Sequence, residues 1–149
     1  MNVCLYLYKT NPDHMNWKLI FQLSVFGLIM AFATIFLIPQ MVEPAFWLAI
    51  FVFCAYVIVQ RVRSRYFLHG FFVSLVNSVW ITAAHVLFYK TYAQHHPDMV
   101  KMSEGMPVST HPRLLMLIMG PLFGIVLGLV LGFFCFIASI LVSKKVTIQ

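Results

Sequence analysis

Residues 120–132 read GPLFGIVLGLVLG and place a glycine at every fourth position, at Gly120, Gly124, Gly128 and Gly132. Residues four apart lie one turn above each other on an α-helix, so these glycines form a groove along one helix face. In water this much glycine weakens a helix, whereas in lipid such a face lets another backbone approach closely. The stretch therefore predicts a membrane-spanning helix that packs through its glycines.

The composition is that of a membrane protein. Of the 149 residues, 62% are hydrophobic and 9% are charged, far from the soluble average of roughly 25% charged. Four segments with no charged residue in their interior each approach the roughly 20 residues that a spanning helix needs, and they run over 19–38, 42–60, 66–89 and 114–142. We therefore predict an all-α fold in which four transmembrane helices form one bundle over residues 18–145, preceded by an N-terminal segment at 1–17.

The basic residues indicate how the chain is oriented. The net charge is +6, but the cations flank the spans and form no patch interleaved with aromatics, which argues against nucleic acid as a partner. With a cytoplasmic N-terminus, seven cations lie inside and three outside: Lys9, Lys18, Arg61, Arg63, Arg65, Lys144 and Lys145 against Lys90, Lys101 and Arg113. This asymmetry predicts a multi-pass protein of the inner membrane with both termini cytoplasmic.

Small residues also recur along the first and third spans. The third span carries Gly70, Ser74, Ser78 and Thr82 at every fourth position, which matches the glycine stripe of the fourth span in kind and length. We expect these two stripes to face each other, with Asn77 or the hydroxyl groups bonding across. The first span places its own small residues on one side, and we expect that side to face the other helices: Ser24, Gly27, Ala31 and Thr34.

The outer loop, residues 91–113, contains a stripe of soft metal ligands. Residues 97–104 are expected to form a short helix that begins at Pro97 and stops at Gly105. His95, Met99, Met102 and Met106 have helical spacing, and imidazole with thioether suits Cu(I). His96, His111, Met116 and Met119 lie nearby in sequence. The pattern predicts either a copper-binding surface at the outer face or an ordinary interfacial helix filled with methionine.

The sequence carries no pattern typical of catalysis. It has no P-loop, no HExxH and no nucleophile elbow, so we predict that the protein is not an enzyme and expect no cofactor. Asn77, Ser78, Thr82 and His85 are the residues that could line a polar path through the membrane. His69 and His85 are sixteen positions apart, which separates them by roughly 160° around a helix, so they cannot share one site.

The layout resembles a family of short four-span bacterial membrane proteins found in Bacteroidetes-type genomes. The resemblance rests on the run from Phe67 to Ser74, the exit at Tyr89 and Tyr92, and a glycine-rich last span that ends in two lysines, 144–145. No activity is assigned to that family, so the resemblance implies the fold and no function.

Three functional hypotheses follow from these patterns. The first is a non-enzymatic accessory or structural subunit that packs against itself or a larger membrane complex through the glycine-rich fourth span. The second is a small transporter or channel assembled as a homo-oligomer around the polar third span. The third is the copper-binding surface of the outer loop. In each case the lipid bilayer surrounds the spans and is itself a partner.

Overall fold

A computed structural model describes residues 14–39, 41–104 and 111–146, and these residues are helical with no strand among them. The predicted N-terminal segment lies almost entirely outside the described residues. The helices, in chain order, are α1 (Trp17–Phe36), α2 (Glu43–Arg61), α3 (Tyr66–Leu87), α4 (Tyr89–His95), α5 (Pro97–Glu104) and α6 (Pro112–Val146). In this part of the chain α1, α2, α3 and α6 are long and apolar enough to cross a membrane.

Local chemistry explains where the long helices begin. At the start of α1 the side chain of Asn16 accepts a hydrogen bond from the Leu19 amide at 3.1 Å, which satisfies one of the free N–H groups of the first turn. The first turn of α2 contains Glu43, whose charge suits a helix N-terminus, and a proline that needs no N–H partner there. The four long helices begin and end within four residues of the predicted spans.

The third span lies between the other helices. Its contact with α6 is the most extensive in the structure, its contact with α1 is the next, and α2 packs mainly on α6. A shared apolar core contains buried side chains from all four helices, including Ile20, Ile58, Val73 and Leu131. The predicted inward side of α1 is confirmed, since Ser24, Gly27, Ala31 and Thr34 are all buried. Because α3 is flanked on two sides, its polar residues lie between helices.

The predicted outer loop contains two short helices rather than one. The sequence analysis placed a helix at 97–104, where the structure has α5, but it missed α4. His96 separates the two with φ −127° and ψ 61°. A residue that precedes proline is disfavoured in the α conformation, so the pair His96 and Pro97 breaks the helix. The predicted stop at Gly105 and the ligand Met106 lie outside the described residues.

Candidate functional site

The small residues of α3 lie against the glycines of α6. A Cβ built on Gly120 would meet Thr82, one on Gly124 would meet Ser78, and the Ser74 hydroxyl lies 3.4 Å from the Gly124 carbonyl oxygen, to which it donates. Gly70 occupies the same interface from the other side. There, a Cβ would come 2.9 Å from the Leu131 carbonyl oxygen. The backbones therefore approach closely along this whole face.

Aromatic rings cover the remaining glycines of α6. Cβ atoms built on Gly128 and Gly132 would come 2.9 Å and 2.8 Å from the rings of Phe71 and Phe67. These two phenylalanines stack with an interplanar angle of 10°. In this structure α3 of the same chain occupies the glycine face of α6. The packing of a second protein through these glycines stays a prediction from the sequence.

The residues of the predicted polar path divide between two interfaces. Ser78 and Thr82 face α6, whereas Asn77 lies against Gly27 of α1 and His85 reaches α1 at Thr34, with 3.5 Å between His85 Nε2 and Thr34 Oγ1. Residues on two different faces of α3 cannot line a single polar path through the membrane. The structure therefore separates the four residues that the sequence analysis grouped.

Asn77 is 2% exposed, and neither its Oδ1 nor its Nδ2 has a hydrogen-bond partner; the Thr82 hydroxyl is likewise unpartnered. Burying an amide without partners costs about 1–3 kcal/mol, judged from mutational data on proteins. Asn77 therefore reduces the stability of the α1–α3 interface.

A cluster of aromatic side chains joins α4 to the C-terminal ends of α1 and α3. The ring of Tyr92 lies 4.4 Å from that of His85 and 4.6 Å from that of His96, at interplanar angles of 33° and 26°. His96 is 3% exposed, and its Nε2–H donates to the Thr34 carbonyl oxygen at 2.8 Å. We call these four residues the outer cluster: Thr34, His85, Tyr92 and His96.

The outer cluster holds α4 against the membrane-spanning helices. Burial raises the pKa of Tyr92, and the negative charge of Glu43 raises it further, so the phenol stays neutral at physiological pH. The sequence patterns place Tyr92 at the exit of the third span and His96 near the copper stripe. They do not predict that Tyr92 packs against His85 and His96, although the three residues are seven and four positions apart. Phe88 ends α3 between His85 and Tyr92, so these residues do not lie on one continuous helix and their spacing does not show that they meet.

A second buried histidine links two chain segments at the opposite end of the molecule. His69 is fully buried, its Nε2 accepts the amide hydrogen of Asn16 at 3.0 Å, and its Nδ1–H donates to the Arg65 carbonyl oxygen at 2.9 Å. Both ring nitrogens are used, which fixes the neutral tautomer. His69 and His85 lie at opposite ends of α3, in agreement with the prediction that they share no site.

The predicted copper stripe is interrupted. His95 is the last residue of α4 and its Nδ1–H donates to the Thr91 carbonyl oxygen at 2.9 Å, whereas Met99 and Met102 belong to α5 beyond the break at His96. A single helical stripe therefore does not form, because Pro97 starts a new helix. Within the described residues no three His, Cys, Asp or Glu side chains are grouped to hold a metal ion.

Four long apolar helices, with polar groups turned toward one another, define an all-α protein of the multi-span membrane class. No family model, no curated protein and no solved structure matches this chain. The resemblance to bacterial four-span proteins therefore stays a prediction from the sequence.

Proposed function

We propose that this chain is a non-enzymatic accessory or structural subunit of an inner-membrane complex, built as a bundle of four spans. One observation carries the proposal: the polar and small residues of α3 lie between helices, while the outward faces of α2 and α6 are apolar. Leu48, Val52 and Tyr56 of α2 and Phe123 and Phe133 of α6 are each more than half exposed, at 54% or above. Such faces suit lipid and other spanning helices.

The partner helix is proposed to lie on α2 rather than on the glycines of α6. The outward face of α2 is an open apolar surface formed by residues of that helix alone: Ala45, Leu48, Ala49, Val52, Phe53 and Tyr56. Ala45 and Ala49 are four residues apart, a spacing of small side chains that lets a second helix approach. No residue of α3 belongs to this surface, so the proposed contact leaves the polar residues inside.

The orientation proposed for the bundle has both termini in the cytoplasm. It is supported by the excess of lysine and arginine at the end where α2 leads into α3. In a background with Cys4→Ser, a membrane-impermeant maleimide added to spheroplasts should label Gln94→Cys at once and Arg63→Cys only after permeabilisation. The reverse order of labelling would contradict the orientation.

Native mass spectrometry of the protein, extracted gently from its own membrane, tests the accessory role. We expect a stable heteromeric partner, and we expect Ala49→Phe, which places a bulky ring on this surface of α2, to reduce the bound fraction about tenfold. Ile29→Phe is the matched control, because residue 29 is 57% exposed on the outward side of α1. Loss of the partner from both variants would place the contact elsewhere.

The alternative function, a small homo-oligomeric transporter, is supported by the unpartnered amide of Asn77. An intramembrane polar group without a partner is a functional candidate, since it costs stability and has no structural contact to offset that cost. A homo-oligomer with no foreign subunit in the same spectrum would favour this alternative and would contradict the accessory role.

A further inference from the structure

Positive charge is concentrated at one end of the molecule. We call this the basic end, where α1 begins, α2 ends and α3 begins; its exposed cations include Lys18, Arg61 and Arg63. Among the side chains that the structure describes, the carboxylates are Glu43 and Asp98, which belong to the start of α2 and to α5. Both lie at the opposite end, so neither of these carboxylates neutralises Lys18, Arg61 or Arg63.

The cations of the basic end come from two chain segments that one buried side chain holds together. His69 accepts the amide hydrogen of Asn16, next to α1, and donates to the carbonyl oxygen of Arg65, at the start of α3. The His69 amide donates to the same carbonyl at 3.1 Å. Arg65 has φ 55°, a left-handed conformation that costs a non-glycine residue roughly 1 kcal/mol. The fixed backbone therefore sets the positions of the cations relative to each other.

Aromatic side chains mark the depth of the basic end in a bilayer. Trp17 is 49% exposed and its ring lies 5.4 Å from that of Phe72. Tyr66, the first residue of α3, is half-buried. Tryptophan and tyrosine concentrate where the hydrocarbon core meets the headgroups. Lys18, next to Trp17, is therefore expected at the depth of lipid phosphates.

We propose that the basic end is a binding surface for anionic lipid headgroups. Headgroup phosphates supply the negative charge that the described part of the chain does not, at the depth where the cations lie, and arginine binds phosphate through two parallel hydrogen bonds. The ligand is a lipid of the surrounding bilayer. The inference depends on the helices spanning a membrane, and it does not depend on the proposed accessory role.

Titration of the detergent-purified protein with phosphatidylglycerol or phosphatidylcholine, followed by native mass spectrometry, tests this surface. We expect the wild-type protein to bind phosphatidylglycerol more tightly. The double variant Arg61→Gln and Arg63→Gln should weaken that binding roughly 25-fold, because each surface cation contributes about a fivefold preference for anionic lipid. Both arginines are exposed, so thermal unfolding should be unchanged.

The matched control removes two exposed cations from the opposite end, with Lys90→Gln and Arg113→Gln, and should change the affinity less than about twofold. If the double arginine variant does not fold, Lys18→Gln should weaken the binding of phosphatidylglycerol about fivefold by the same reasoning. An equal concentration of inorganic phosphate should not displace the lipid. Equal affinity for the two lipids, equal losses in both double variants, or displacement by phosphate would overturn the proposal.

Discussion

Gly124→Leu is expected to abolish stable folding of the membrane domain. A Cβ on residue 124 would already overlap the side chain of Ser78, and leucine adds three further carbon atoms to that position. Ser78 belongs to α3 and residue 124 to α6, so the overlap can be relieved only if the two helices move apart along their whole contact. Overpacking a tight core usually costs about 1–3 kcal/mol, and a backbone separation of this kind should exceed that range. The measurement is the yield and the thermal unfolding of the protein in mild detergent.

Val126→Leu is the matched control for this substitution. It introduces the same side chain two residues away on α6, where residue 126 is 52% exposed on the outward face. We expect wild-type yield and an unfolding temperature within a few degrees of the wild type. Equal tolerance of leucine at positions 124 and 126 would refute the close approach of α3 and α6.

His69→Phe is expected to have the second largest effect. Phenylalanine preserves the ring but leaves the Asn16 amide without its acceptor and removes the donor to the Arg65 carbonyl, in a fully buried position. The Arg65 carbonyl keeps the His69 backbone amide as a donor, whereas the Asn16 amide loses its acceptor, so the free energy of unfolding should fall by about 1–3 kcal/mol. The loss is measured by reversible unfolding in mixed micelles.

His95→Phe provides the control, because His95 also donates from Nδ1 to the carbonyl four residues earlier. That bond has the same 2.9 Å length, but His95 is exposed and makes no bond to a distant segment that the structure shows. We expect a change of less than about 0.5 kcal/mol, which is usual for surface substitutions. Losses of similar size at positions 69 and 95 would show that the long-range bond to Asn16 contributes little.

The spans could be predicted from sequence because each follows from a local property. Long apolar runs and flanking charges locate α1, α2, α3 and α6, and a four-residue spacing of small side chains marks the faces that pack. Pro97 likewise places the start of α5 without knowledge of the fold. These signals depend only on neighbours along the chain.

The contacts that complete the fold depend on residues far apart in sequence. The bond from His96 to Thr34 joins positions 62 apart, and the bond from Asn16 to His69 joins positions 53 apart. No local pattern indicates that α4 returns to α1 or that a histidine bridges two loops. The sequence also does not show which face of α3 meets which helix, so Asn77 was grouped with Ser78 although they face different neighbours.

The most direct test of this account is whether the glycine face closes within one chain or between two copies. A Cβ on residue 70 would lie 2.7 Å from Cys135 Sγ, near enough for a Gly70→Cys sulfur to reach the roughly 2 Å bond of a disulfide. In a background with Cys4→Ser and Cys54→Ala, oxidation with iodine should yield a monomer that has lost two hydrogens, and Cys135→Ser should prevent this. A disulfide-linked dimer would contradict the internal packing of α3 on α6.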